Sequence, residues 1–234
     1  MGQNTSSAVM QQRTEARDAL DDFPTPMWAT RVLTAWLEGQ GYDLSALAAR
    51  EPCANRGYMA VPLGEAFGCV EASDVHDYGV GYPVLDYLFG AVPDPLDFTI
   101  SNPPFRLAAQ IIDRALASSH RGVAMFVRSA FLEGGERYHT LFSQNPPTTV
   151  LQFSERVILH KGLVRFKGEK YVDKKGVERS ASSATAYSWL VWNFERMSFD
   201  LQGKNTTKTQ LEWLPPCCAS FERLGDYEER GTYG

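Results

Sequence analysis

Short apolar runs alternate along the chain with stretches of helical spacing. After Pro24 and Pro26, MWATRVLTAWLEGQG places apolar residues at Trp28, Val32, Ala35 and Trp36, a helical stripe that Gly39 and Gly41 end. LSALAAREPCANRGYM predicts a short buried strand, a turn and the start of a helix. FGCVEASDV predicts a second strand, and LDFTIS a third that runs into Asn102-Pro103-Pro104-Phe105. A helix is expected from about Phe105 to Ser118, then a fourth strand at GVAMFVR and helical EGGERYHTLFS. Two aromatic-rich strands follow, TTVLQFS and AYSWLVWNF. Strands alternating with helices imply an α/β fold, a mostly parallel sheet covered on both faces. The last two strands fit an antiparallel C-terminal hairpin on that sheet. The expected organisation is a polar segment over 1–22, one domain over 23–199 and a polar, Pro-containing tail over 200–234.

Composition adds limits. The chain is 44% hydrophobic and 22% charged, as one globular domain should be, and its net charge of −5 argues against a nucleic-acid coat without excluding a local basic site. That charge is uneven. Residues 155–180 carry +4 against −9 elsewhere, with Gly162, Gly168 and Gly176 marking loops. This segment reads either as a solvated insertion or as a phosphate-binding arm, with Lys161, Arg165, Lys167, Lys170, Lys174 and Lys175 as candidate contacts. Cys53, Cys69, Cys217 and Cys218 form no CxxC and no Cys/His metal spacing, and the four histidines form no ligand spacing. No metal is expected, and the cysteines read as reduced thiols. The polar N-terminus lacks an apolar signal core, and no apolar run approaches the ~18 residues of a membrane span, so a cytoplasmic protein is expected. Trp189 and Trp192 are expected in the core. Arg128 and Arg137, near the expected active face, read either as phosphate contacts or as solvated surface charge, with surface charge the favoured reading.

The Asn-Pro-Pro corner carries the first chemistry. Proline has no N–H and keeps the preceding residue extended, so the corner offers carbonyl oxygens without competing backbone donors. Asn102 adds an amide oxygen. Two acceptors suit a group with two hydrogens to give, an amino group, and Phe105 can stack on the ring that bears it. Ligands of open parallel sheets bind beyond the carboxyl ends of strands, where this corner lies. A second copy, Asn145-Pro146-Pro147, has no apolar strand before it and no aromatic after it, and reads as a plain turn.

Upstream, Glu51, Pro52 and Gly57 form a strand-to-helix turn that lets a ligand approach the backbone. Asn55 stands where a second glycine would be expected and tolerates positive φ. Asp74 lies seventeen residues after Gly57, near the spacing at which acids hold ribose hydroxyls. Taken in order, Pro-Thr-Pro, Glu-Pro-x-x-x-x-Gly, Ser-Asp, Asp-Tyr-Leu and Ser-Asn-Pro-Pro-Phe resemble the S-adenosylmethionine-dependent DNA adenine-N6 methyltransferases of small phage and prophage type. The similarity runs from about Phe23 to Phe194, and Asn-Pro-Pro-Phe is its specific element.

That resemblance implies a Rossmann-like fold and a set of roles. Thr25 and Pro26 would touch the methionine part of S-adenosylmethionine. Glu51, Pro52 and Gly57 would form the cofactor turn and Asp74 would hold the ribose. Asp86, with Tyr87 beside it, would meet the adenine. Asn102, Pro103, Pro104 and Phe105 would form the catalytic loop. Glu51 and Asn55 depart from the commoner Asp and Gly, and residues 155–180 are the candidate for the missing target-recognition domain. The implied partner is duplex DNA with a flipped base. An RNA base or a protein glutamine as substrate, or a silent nucleic-acid-binding relative, are the other readings. The basic segment favours nucleic acid over protein.

Overall fold

A computed structural model describes residues 21–173 and 176–227. Residues 1–20 of the polar N-terminal segment, Lys174 and Lys175, and residues 228–234 lie outside the described residues.

The first helix, α1 (Met27–Gly39), starts on Pro26, whose fixed φ suits a helix start. Its buried side is wider than the Trp28–Val32–Ala35–Trp36 stripe. Every residue from Met27 to Thr34 is buried, Arg31 included. Arg31 survives burial because its guanidinium bonds Glu65 and Asp226 at 2.8–2.9 Å, so the end of the described chain is pinned across the helix.

Next come β1 (Ala48–Glu51), α2 (Ala60–Ala66), β2 (Cys69–Ala72), β3 (Leu96–Ser101), α3 (Ala108–Ala117) and β4 (Ser119–Arg128). The short helix α4 (Gly135–Arg137) runs on into a wider turn at Tyr138–Phe142, and β5 (Thr149–Phe153) follows. β6 (Lys170–Val172) and β7 (Glu178–Ser180) form a separate antiparallel hairpin inside the basic segment. β8 (Tyr187–Asn193), β9 (Gln210–Leu214) and α5 (Cys218–Phe221) complete the chain.

Seven strands form one sheet in the order β2-β1-β3-β4-β8-β5-β9. All neighbours are parallel except at β8, which runs antiparallel to both β4 and β5. The two aromatic-rich strands therefore do pair antiparallel, with β8 inserted between β4 and β5. The sheet is mostly parallel with helices on both faces, the Rossmann-like arrangement.

Side-chain alternation explains the near-continuous apolar strands. Ala124 and Phe126 of β4, with Trp189 and Val191 of β8, face α1 and α2. Val123, Met125 and Val127, with Leu190 and Trp192, face α3 and Leu141. Both faces are dry, so both phases of each strand must be apolar. Trp189 and Trp192 are fully buried.

One expectation fails on pattern. Beyond Asp200 the chain is no mere tail, because Gln210–Leu214 pairs with β5 in parallel register as an edge strand. Only Leu214 of this strand is buried, and Leu211 and Trp213 face outward. An edge strand that puts little into the core leaves no strong apolar signature.

The topology places a crevice. From β1 the chain moves outward to β2, then crosses back to the other side of β1 at β3. The segments leaving β1 and β3 at their carboxyl ends therefore diverge, which is where open α/β sheets take ligands.

Candidate functional site

Glu51 is the last residue of β1 and is fully buried. Its Oε1 accepts the Ser101 hydroxyl at 2.6 Å and the Cys53 N–H at 2.9 Å. Its Oε2 is buried with no hydrogen-bond partner. Burial pushes the Glu51 carboxyl up to about 8, the two hydrogen bonds oppose that rise, and the charge of Asp74 adds to it. After Pro52 the backbone turns through Asn55 (φ 50°) and Gly57 (φ 83°), both left-handed, so Asn55 fills the conformation expected of a glycine.

Asp74 ties this turn to the segment after β2. Its two oxygens accept the Asn55 N–H at 2.8 Å and the His76 N–H at 3.0 Å. Burial raises the Asp74 pKa, against those two bonds. Asp22 supports the turn from outside through the Asn55 side chain (2.7 Å) and Arg56 (2.9 Å). In the long β2–β3 connection Asp86 accepts the Leu88 N–H at 2.9 Å, and the Tyr87 hydroxyl is anchored on Ser118 at 2.8 Å.

At the end of β3, Ser101 reaches back to Glu51 and Asn102 reaches sideways. The Asn102 side-chain nitrogen donates to the Phe23 carbonyl at 2.8 Å. A carbonyl accepts only, so this contact assigns the amide orientation and leaves Oδ1 free of any donor among the described residues. The Pro104 carbonyl accepts the Leu107 N–H at 2.9 Å, opening the way into α3. Pro103 contributes a carbonyl that no described backbone N–H uses. The Phe105 N–H donates to Asp21 at 2.7 Å, and its ring lies 6.1 Å from that of Phe23.

One cleft joins these parts. Thr25, Glu51, Pro52, Asp74, Asp86, Tyr87, Asn102 and Pro104 line it. Pro26, Gly57, Pro103 and Phe105 do not line it; Pro26 starts α1 and Gly57 closes the turn behind the wall. Tyr58 and Tyr78 also line the cleft, and no motif announced them. The Thr25 hydroxyl is buried without a partner, as Glu51 Oε2 is, so two polar atoms of the cleft wall are unspent. That pattern fits a ligand bringing both donors and acceptors.

Four of the eight basic groups of the segment pair with its own acids. Arg165 pairs with Glu169, Lys167 with Glu155 (2.9 Å), Lys170 with Glu178 (3.2 Å) and Arg179 with Asp173 (3.1 Å). Only the Lys170–Glu178 pair is exposed on both sides, where such a pair contributes under about 1 kcal/mol, while the Glu155 side chain is largely buried. Lys161 lies in the loop whose Gly162 N–H bonds the carbonyl of Asp22, the residue that also holds Asn55 and Arg56. The two expected surface arginines differ in fate. Arg137 spends its donors on the Phe131 and Glu133 carbonyls, while Arg128 stacks on Phe105.

Among the described residues no group of three or more His, Cys, Asp or Glu could hold a metal ion, and no helix is long and apolar enough to cross a membrane. All four cysteines are free thiols.

No protein-family model matches the chain, and no curated protein matches it in sequence. Solved structures share its fold. A candidate class I S-adenosylmethionine-dependent methyltransferase from Listeria monocytogenes superposes with a TM-score of 0.57 at 12% identity, covering 88% of this chain and 69% of that one. The M protein of the type I restriction enzyme EcoKI gives 0.53 at 11% identity over 85% of this chain, which spans half of that protein's length. A candidate RNA methyltransferase from Pyrococcus horikoshii gives 0.52 at 16% identity, covering 80% and 96%. At these identities the likeness establishes the fold.

Proposed function

We propose that this protein transfers a methyl group from S-adenosylmethionine to the exocyclic N6 amino group of adenine in DNA. The observation that carries the proposal is the Asn102 amide, whose nitrogen is spent on the Phe23 carbonyl and whose oxygen is left free at the cleft. The cofactor would supply an electrophilic methyl group on a sulfonium centre. The unspent Thr25 hydroxyl and Glu51 carboxyl fit its amino-acid end, Asp74 its ribose, and Asp86 with Tyr87 its adenine.

The amino nitrogen of adenine is a weak nucleophile because its lone pair is delocalised into the ring. Asn102 Oδ1 and the Pro103 carbonyl would each accept one of its hydrogens and favour the tetrahedral nitrogen that can attack. Neither acceptor is a strong base, so their contribution is positioning, which reaches about 7–11 kcal/mol in well-oriented systems. The extra proton on the methylated nitrogen then leaves to solvent. A duplex substrate must give up the base from its stack at a cost of a few kcal/mol. The basic groups of the 155–180 segment would hold the backbone, with Lys161, Arg165, Lys167 and Lys170 as the contacts; Lys174 and Lys175 keep that role as an expectation only.

Support for DNA comes from the Asn-Pro-Pro-Phe resemblance and from the shared fold with a restriction-modification M protein. An RNA base is the second reading, favoured by the shared fold with a candidate RNA methyltransferase of closely matching span. The test is transfer of tritiated methyl from the cofactor to duplex DNA, single-stranded DNA, RNA and protein, with the labelled product identified after digestion. Label in N6-methyladenine from DNA is expected. Label in RNA or protein alone overturns the DNA reading.

A further inference from the structure

Arg128 has no role in the chemistry above, yet its placement is unusual for a charged side chain. It ends β4, directly across from Tyr187 of β8, on the same sheet edge as Asn102. Its guanidinium carbon lies 3.9 Å from the centre of the Phe105 ring and 6.0 Å from that of Phe23. Its Nε is buried without a hydrogen-bond partner, and no carboxylate of the described residues forms an ion pair with it. Five other arginines are spent. Arg31, Arg50, Arg56 and Arg121 pair with carboxylates, and Arg114 caps the Phe89, Gly90 and Ala91 carbonyls.

Stacking on a ring face holds a guanidinium while leaving its in-plane N–H donors available; Arg128 shares one with the neutral Tyr187 hydroxyl, and the remaining donors suit a phosphate. A partly desolvated cation with no internal anion gains most from an anion brought by a ligand. We propose that Arg128 binds a phosphodiester of the nucleic-acid substrate, at the nucleotide whose base is presented to Asn102. Phe105 then has a double role, as wall for the base and as platform that aims Arg128. The inference rests on the reading that the substrate is a nucleic acid, since a protein glutamine would bring no phosphate.

The experiment compares wild type, Arg128→Gln and Arg128→Lys in methyl transfer to an oligonucleotide carrying the methylated base mapped with wild type. The assay is run over a salt series, and again with one uncharged methylphosphonate at each linkage flanking that base. Arg128→Gln should raise KM about tenfold or more with kcat within about threefold, as loss of a charge-assisted contact predicts. It should also flatten the log–log salt dependence by about 0.7–0.9. One methylphosphonate position should cost wild type the same factor and cost Arg128→Gln nothing, and Arg128→Lys should recover part of the KM and the full salt slope. Should Arg128→Gln fail to fold, the lysine variant still decides, because a point charge without the fork must respond less than wild type to the same methylphosphonate. An unchanged salt slope, or equal sensitivity of wild type and variant to every methylphosphonate, overturns the assignment of Arg128 while transfer by wild type upholds the substrate reading. Absence of transfer by wild type to any nucleic acid overturns that reading first.

Discussion

The chain contains the tripeptide Asn-Pro-Pro twice, and the two copies sit on opposite edges of the sheet. Asn102-Pro103-Pro104 leaves the carboxyl end of β3, whereas Asn145-Pro146-Pro147 leads into the amino end of β5. β5 is parallel to β3 because β3 runs parallel to β4, and β4 and β5 both run antiparallel to β8. At the second copy the fold uses the backbone of Asn145 and the carbonyl of Pro147. The Asn145 N–H bonds the Leu141 carbonyl, Trp192 donates to the Asn145 carbonyl at 2.9 Å, and Thr209 donates to the Pro147 carbonyl at 2.7 Å. At the first copy the fold orients the groups and leaves acceptors over. Proline rigidity is common to both. What differs is that Asn102 and Pro104 line the cleft, whereas Asn145, Pro146 and Pro147 do not.

The largest test of that difference is a pair of alanines. Asn102→Ala should lower kcat for methyl transfer by about a thousandfold, the scale of losing one oriented polar group at a reacting centre. Cofactor affinity by calorimetry should change little. Asn145→Ala should leave kcat within about twofold, and a large loss there would erase the contrast.

Next in size is the acid behind the first corner, which the second lacks. The unfolded chain loses the Glu51 proton near 4.5, whereas the folded chain holds it to about 8. Stability from this group is thus full below 4.5, falls as pH rises through the window and levels off above 8. The slope is on the order of 1 kcal/mol per pH unit, and Glu51→Gln should remove it. The check is the pH dependence of the melting midpoint for wild type minus variant; parallel curves would mean that Glu51 ionises normally.

Asn102→Asp is the sharper, smaller probe. It keeps one acceptor but replaces the donor with an oxygen facing the Phe23 carbonyl, so the side chain should swing and kcat should fall about ten- to a hundredfold, as for a misplaced catalytic group. A variant with wild-type kcat would show that the Phe23 contact does not set the orientation. Smallest is Thr209→Val at the other edge, which should cost about 1 kcal/mol in denaturant stability and leave transfer unchanged.

Much of this was legible in the residue pattern. LDFTIS, TTVLQFS and AYSWLVWNF are strands because β-branched and aromatic runs buried on both faces have one reading. That Glu51 and Asp74 end up beside the corner after β3 was legible through spacing, and Asn55 through its tolerance of positive φ. The edge strand at 210–214 was not, because it buries one side chain. Tyr58 and Tyr78 were not, because a lining aromatic carries no local signal. Arg128 read as surface charge, because a ring twenty-three positions away cannot be placed beside it from spacing.

The sequence by itself determined the alternation of elements, hence a covered, mostly parallel sheet, and it determined a donor-poor corner after the third strand. Those follow from local rules, side-chain period and the missing proline N–H. Only the tertiary structure decided which of two identical tripeptides lines the cleft, which way the Asn102 amide points, and that four cations of the basic segment pair with its own acids. Each of these depends on partners far apart in the chain, such as Phe23 for Asn102 and Thr209 for Pro147, and a hydrogen bond requires a distance that folding alone supplies.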